Sequence, residues 1–94
     1  MKSVYKYTLE LVTDKMQVDV PKDAQLLHFD FQHGQPRVWA LIDTGERDIE
    51  TWHLRIAGTG HPIAETIKRH MGSALVSEGM LVLHLFEVEA PVGN

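Results

Sequence analysis

The chain has 94 residues, 44% of them hydrophobic and 23% charged, with a formal net charge of −4. This length predicts a single domain over residues 1–94, and this composition excludes an intrinsically disordered chain. The excess of acidic residues argues against nonspecific nucleic-acid binding, because attraction to phosphates requires a basic surface.

The chain contains no cysteine, which excludes disulfides and thiolate chemistry. Residues 1–8 lack the apolar core of a signal peptide, and no run of the sequence approaches the roughly 20 apolar residues of a membrane-spanning helix. We therefore expect a cytoplasmic protein without a membrane anchor.

Alternating apolar and polar side chains predict a mainly β protein. Strands are expected near residues 3–11, 16–20, 25–32, 38–42 and 48–57. The first two strands are predicted to pair as a hairpin, residues 33–34 to form a tight turn, and residues 43–46 to form a second hairpin turn. In the fifth strand the face with Trp52, Leu54 and Ile56 is expected to point to the core.

The sequence after His61 fits more than one structure. Ile63, Ile67, Met71 and Leu75 are spaced by four, which is typical of a helix, and Pro62 suits a first helical position. We predict a short helix over 62–69, a strand over 70–76, a last strand over 80–88 and a flexible tail at 90–94; one helix over 62–76 remains the alternative. The result is a small antiparallel β roll, barrel or sandwich of about seven strands with one short helix.

The segment Gly58-Thr59-Gly60-His61-Pro62-Ile63 carries the clearest functional signal. Two glycines allow the backbone to take positive φ or to approach another group closely, and such shaped loops often hold sites. Its amides are predicted to form an anion-binding concavity, with positive charge added by Arg55 and Lys68. The alternative is a plain connector whose glycines need positive φ, since the spacing fits neither a dinucleotide fingerprint nor a P-loop.

Six histidines are many for a chain of this length. The candidates for a metal site are four of them, His53, His61, His70 and His84, together with Glu65 or Glu87. No pair of these histidines has the spacing of a zinc motif. His53 and His84 are candidates for cross-strand neighbours. No cofactor is predicted, and neither the serines nor the Thr59/His61 pair has the context of a catalytic nucleophile.

Several short blocks together resemble a family of small phage and prophage proteins known only as a domain of unknown function. The resemblance spans nearly the whole chain, and its blocks are residues 4–7, 21–24, 32–36, 39–43, 58–63 and 83–87. It implies an accessory protein that acts inside a bacterial host, where binding is a more common role than catalysis. It implies no activity, substrate or catalytic residue.

Taken together, these features predict a binding protein without catalytic activity. Its ligand would be anionic, either a nucleotide-like host signal or an acidic protein patch, held by Arg55, Gly58, Thr59, Gly60, His61, Lys68 and His84. A protein-interaction module that uses an exposed sheet edge or the Tyr5/Tyr7 face is the first alternative, and a small metal-dependent hydrolase is the second. Exposed edges also favour self-association into a homo-oligomer.

Overall fold

The computed structural model describes residues 1–11 and 13–91, and within them the chain forms strands, turns and loops but no helix. The strands are β1 (Lys2–Thr8), β2 (Lys15–Pro21), β3 (Gln25–Gln32), β4 (Gln35–Asp43), β5 (Ile49–Gly58), β6 (Ile67–Val76) and β7 (Leu81–Val88). The predicted mainly β class is confirmed.

The strands form two antiparallel sheets that share one core. The three-stranded sheet has the order β1-β4-β3, and the four-stranded sheet has the order β2-β5-β7-β6. Side chains from the inner faces of both sheets make a single apolar cluster, in which Val38 and Leu85 have no exposed surface. Trp52, Leu54 and Ile56 lie in this cluster, so the predicted core face of the fifth strand is confirmed.

Strand pairing differs from the sequence prediction at two places. The predicted hairpin of the first two strands is wrong, because β1 pairs with β4 and β2 pairs with β5. Residues 43–46 do turn, with the Glu46 amide donating to the Asp43 carbonyl at 3.1 Å, but β4 and β5 belong to different sheets. The tight turn at His33 and Gly34, both at positive φ, joins β3 to β4 as a true hairpin.

The predicted helix over 62–69 is wrong. Residues 62–66 are irregular and β6 begins at Ile67. A spacing of four is shared by helices and strands, because residues an even number apart lie on one face of a strand. Two register irregularities, at Ile67/Arg69 and at His70/Gly72, then change which side chains of β6 reach the core.

Gly72 lets β6 approach β3 and thereby closes one side of the sandwich. Its φ of +147° is rarely adopted by residues with side chains. A Cβ added to Gly72 would lie 3.1 Å from the Cβ of Phe29, closer than normal packing allows. The contact between the sheets at this point therefore depends on glycine.

The C-terminal segment follows β7 directly. Ala90 and Pro91 are exposed, and the remainder of the predicted tail, residues 92–94, lies outside the described residues. Nowhere in residues 1–11 and 13–91 is there a helix with the length and apolar character needed to span a membrane.

Candidate functional site

The glycine-rich segment forms a tight turn at the end of β5. The His61 amide donates to the Gly58 carbonyl at 3.0 Å, and Gly60 has a φ of +88°. This is the pattern of a type II turn, in which the third residue needs positive φ. Thr59 and Gly60 are exposed, and within residues 1–11 and 13–91 their amides donate to no protein acceptor.

The two glycines of this turn serve different purposes. Gly60 supplies the positive φ, whereas Gly58 makes room for a side chain. A Cβ on Gly58 would lie 3.0 Å from the imidazole of His61, so the ring packs directly over the backbone of Gly58. The turn therefore fixes the position of His61 as well as exposing two amides.

A group of hydroxyl and imidazole side chains lies beside this turn on the outward face of the four-stranded sheet. His84 on β7 has Ser73 of β6 and Ala57 of β5 as its cross-strand neighbours. Its Nε2 lies 2.8 Å from the Thr59 hydroxyl and its Nδ1 lies 2.7 Å from the Ser73 hydroxyl. His70 extends the chain of contacts, with Nε2 lying 3.2 Å from the same Ser73 oxygen. We call Thr59, His70, Ser73 and His84 the histidine–hydroxyl cluster.

The cluster has the chemistry of a polar binding surface. A neutral imidazole donates through one nitrogen and accepts through the other, so one of the two hydroxyls bonded to His84 must donate and the other accept. In a hydrolytic triad the base is oriented by a carboxylate, whereas both ring nitrogens of His84 meet hydroxyls. The arrangement does not favour activation of Ser73 as a nucleophile.

Arg55 lies near the turn but is occupied by contacts within the protein. Its side chain is only 12% exposed and forms ion pairs with Asp14 and with Glu65, the latter at 3.1 Å. It also donates to the carbonyls of Ile56 and Pro62, at 2.8 and 3.2 Å. Arg55 thus ties the segment after the turn to β5, and these internal acceptors compete with any external anion.

The carboxylate of Glu65 is stabilised in its charged form by these contacts. A hydrogen bond from its own amide lowers its pKa, hydrogen bonds from Lys15 and Arg55 lower it further, and partial burial opposes them. Lys15 Nζ lies 3.2 Å from Glu65 Oε2. Two cations therefore converge on one carboxylate next to the turn.

Lys68 lies away from the histidine–hydroxyl cluster. Its Nζ is 3.5 Å from Glu87 Oε2, and Glu87 also pairs with Arg69 at 2.7 Å. Because His84 and Glu87 are three residues apart on β7, their side chains point to opposite faces of the sheet. Thus the fold does not bring Lys68 to the predicted anion site.

The histidines do not converge as a metal site would require. Among the described residues, no group of three or more metal-ligating side chains has a suitable geometry. The suggested cross-strand contact of His53 and His84 is wrong, because His53 faces Val88 while His84 faces Ala57. His53 instead borders a cleft of about 280 Å³ whose wall includes Lys15, Glu65 and Glu89.

Two members of the histidine–hydroxyl cluster, His70 and Ser73, are not among the predicted ligand-binding residues. Both lie on β6, whose irregular register cannot be read from the alternation of its side chains. Ser73 becomes a partner of His84 only because β6 pairs with β7. The sequence Ser77-Glu78-Gly79, which is typical of a turn between two strands, was the available signal for that pairing. In the structure all three residues have positive φ.

Tyr5 and Tyr7 lie on an edge strand, because β1 has only β4 as a neighbour. Tyr5 is 48% exposed, whereas Tyr7 packs against the core. Burial raises the pKa of Tyr7, and the nearby Tyr5 raises it further. The two rings therefore do not form one exposed surface.

Comparison with known proteins gives a family without an assigned activity. Neither a curated protein nor a solved structure matches this chain. A family model described as a domain of unknown function (DUF7352) matches residues 1–93. The match covers almost the full length of the chain, and the chain therefore belongs to the DUF7352 family.

Proposed function

We propose that this protein is a binding module without catalytic activity that captures an anionic group at the Gly58–His61 turn. The observation that carries the proposal is the proximity of two exposed amides without protein acceptors to the hydroxyl of Thr59 and the imidazole of His84. Backbone amides in a turn and hydroxyl groups are common ligands of phosphate and carboxylate oxygens.

The charge around the turn also supports an anion. Within the described residues, the hydrogen bonds of the histidine–hydroxyl cluster involve no carboxylate. An arriving anion therefore meets donors without an acidic competitor in the cluster itself. Three imidazoles, those of His61, His70 and His84, lie in or beside the cluster.

The proposed site is smaller than the one predicted from the sequence. Arg55 and Lys68 are directed to Glu65 and Glu87, so the proposal assigns them no contact with the ligand. Affinity then rests on amides, hydroxyls and imidazoles. The proposed biological setting is that of a phage-type accessory protein in the cytoplasm of a bacterial host, where the anion belongs to a host signal or to an acidic patch on a host protein.

Nitrogen-15 NMR titration with inorganic phosphate tests the proposal at the level of single amides. We expect phosphate to shift the amide signals of Thr59, Gly60 and His61, because these residues form the turn. Thr59→Val should weaken the response, because it removes the hydroxyl and keeps the side-chain shape. Thr51→Val on β5, the strand that leads into the turn, is the matched control, since its hydroxyl bonds to Asp19 at 2.6 Å, away from the turn.

The titration also has clear contrary results. Phosphate that leaves the Thr59 and Gly60 signals unmoved in folded protein would exclude an anion site at the turn. Shifts that appear equally in wild type and Thr59→Val would exclude the assigned donors.

Protein interaction through a sheet edge is the second candidate, favoured by exposed apolar side chains near the β6–β7 hairpin. Leu75 is 65% exposed, Met80 82% and Leu81 54%, and β6 is an edge strand. Unpaired edges recruit a further strand from another molecule. In size-exclusion chromatography we expect Leu75→Ser to abolish any self-association through this edge, while Thr59→Val leaves it unchanged; association that survives Leu75→Ser would exclude this edge.

A further inference from the structure

The outward face of the three-stranded sheet carries a second group of polar and aromatic side chains. In the register of this sheet, Lys6 of β1, Trp39 of β4 and His28 of β3 lie in one row across the strands. The next row contains Arg37 at its centre, with Asp30 as its neighbour on β3. Adjacent strands are about 4.8 Å apart and residues two apart on a strand about 6.6 Å, so these groups form one surface.

Trp39 is the centre of this surface. It lies on the middle strand between Val38 and Ala40, which are fully buried on the other face, so its indole points away from the core. The imidazole of His28 lies beside it, with ring centroids 5.4 Å apart. An aromatic side chain on the outer face of a small sheet is a platform on which nucleic-acid bases stack.

The cations of this surface have no acidic partner among the described residues. Arg37 makes no ion pair or side-chain hydrogen bond within residues 1–11 and 13–91, and its Nε is buried without an acceptor. Asp30 is engaged elsewhere: it accepts from the Phe31 amide at 2.8 Å and lies 3.6 Å from His28. Lys6 donates to the neutral amide of Gln32 at 2.9 Å.

A buried donor without an acceptor, such as Arg37 Nε, is uncommon in folded proteins. Because the protein covers Nε, an external group reaches Arg37 through its two terminal nitrogens, which also have no acceptor among the described residues. A phosphate supplies what the guanidinium of Arg37 lacks, because its oxygens accept two parallel hydrogen bonds from arginine. Lys6, on the neighbouring strand, adds a second positive charge close to the same position. An anion carrying a planar ring would use both the indole and the cations.

We propose that this face binds a nucleotide unit, with its base stacked on Trp39 and its phosphate held by Arg37 and Lys6. The separation of Trp39 and Arg37 along β4, about 6.6 Å, suits the distance between a base and the phosphate attached to the same sugar. The overall charge of −4 disfavours binding along a polyanion, so recognition is confined to one or a few nucleotides. The site is separate from the proposed anion site, since it lies on the other sheet.

Tryptophan fluorescence gives a direct test. The chain has two tryptophans, and Trp52 is only 2% exposed, so quenching by an added ligand reports on Trp39. AMP is titrated at low salt. Adenosine, which lacks the phosphate, and ribose 5-phosphate, which lacks the base, are the comparison ligands, and a short oligodeoxyadenylate represents a nucleic-acid strand. Calorimetry with the same ligands measures the affinity of Trp39→Leu, which lacks the reporting fluorophore.

We expect AMP to quench and to bind more tightly than adenosine or ribose 5-phosphate. Quenching by the oligodeoxyadenylate alone would also support the stacking surface and would identify the nucleotide as part of a strand. Trp39→Leu should weaken binding roughly five- to 100-fold in calorimetry, because leucine keeps the apolar surface but cannot stack. Arg37→Gln should weaken AMP binding and leave adenosine binding unchanged.

Lys22→Gln is the matched control, because it removes an exposed lysine that is not on this face. The proposal is wrong if none of the ligands produces quenching or heat in folded protein. It is also wrong if Arg37→Gln and Trp39→Leu, each shown to be folded by circular dichroism, bind AMP as wild type does. If Thr59→Val loses AMP binding while Arg37→Gln and Trp39→Leu retain it, AMP binds at the Gly58–His61 turn, and this face is excluded.

Discussion

Arg55 and Arg37 occupy comparable positions in the two sheets but differ in their surroundings. Each lies on the outward face of an inner strand, β5 in one sheet and β4 in the other. Arg55 is paired with Asp14 and Glu65, whereas Arg37 has no partner among the described residues and a buried donor without an acceptor. An arginine close in sequence to a glycine-rich loop can thus have all its contacts within the protein, while one in the middle of a strand has no protein acceptor among the described residues.

The largest expected difference in stability is between Arg55→Met and Arg37→Met. Arg55→Met removes one of the two cations paired with the partly buried Glu65 and also a donor to the carbonyls of Ile56 and Pro62, so we expect the free energy of unfolding to fall by about 2–3 kcal/mol. Arg37→Met removes a donor that has no acceptor, so we expect a change within about 0.5 kcal/mol, or a small gain. Urea unfolding followed by circular dichroism measures both, and equal losses would contradict the difference between the two residues.

The two sheets meet where β3 contacts β6, and Gly72 packs against Phe29 at this point. Gly72→Ala should lower the free energy of unfolding by about 2 kcal/mol, because it combines an unfavourable φ with a Cβ 3.1 Å from that of Phe29. Gly79→Ala is the matched control: its φ is +86° but nothing lies within 4 Å of the added Cβ. We expect it to cost about 1 kcal/mol.

Similar stabilities for the two alanine variants in urea unfolding would show that steric contact with Phe29 adds nothing to the backbone strain. A larger loss for Gly72→Ala would locate the excess at the seam between the sheets.

The strands were predictable because their side chains alternate and their turns contain glycine at positions of positive φ. The pairing was not, because alternation shows which residues share a face but not which strand lies beside them. The predicted hairpin of β1 and β2 failed for this reason. The predicted helix at 62–69 failed because Ile63, Ile67 and Met71 fit both periods until the register irregularities of β6 are known.

The same limit applies to the candidate site. Gly60 was readable as a turn residue, and the outward position of His84 follows from the alternation of β7. The partners of Arg55 were not readable, since Asp14 reaches it through the pairing of β2 with β5 and Glu65 through the irregular segment after the turn. A charged residue close in sequence to a loop says nothing about acceptors that the fold brings from elsewhere.

Glu87 provides a smaller version of the arginine comparison. Its side chain is 10% exposed and pairs with Arg69 at 2.7 Å and with Lys68 at 3.5 Å. We expect Arg69→Met to cost about 1.5 kcal/mol, because it leaves a nearly buried carboxylate with one distant cation and removes a cation–π contact with Trp52. Lys68→Met should cost only a few tenths of a kcal/mol, since Arg69 remains.

Urea unfolding of the two variants tests this order, and a greater loss for Lys68→Met would reverse the assignment of the dominant partner. Lys68→Met should also leave the phosphate-induced NMR shifts of Thr59 and Gly60 unchanged, because its side chain contacts Glu87 on the other face.

The last comparison is between Glu65 and Glu10, and it concerns the dependence of stability on pH. The pKa of Glu65 is lowered in the folded protein, chiefly by its own amide and then by Lys15 and Arg55. A lowered pKa contributes stability above the unfolded value, about 4.3 for glutamate, and that contribution is lost as the pH falls through the folded value. We expect the loss to be a few tenths of a kcal/mol to about 1 kcal/mol, because the pair is partly exposed.

Urea unfolding of wild type and Glu65→Gln across the acidic range isolates this contribution. The stability difference between the two proteins should be largest near neutral pH and should shrink as Glu65 becomes protonated, since a protonated glutamate and a glutamine pair with Arg55 about equally. Glu10→Gln is the control, because Glu10 is exposed and forms no ion pair among the described residues, so its difference from wild type should stay small throughout. If the stability difference between wild type and Glu65→Gln grows toward acid pH, the Arg55 contacts do not hold this carboxylate in its charged form. Arg55 would then resemble Arg37, whose donors have no acidic partner among the described residues.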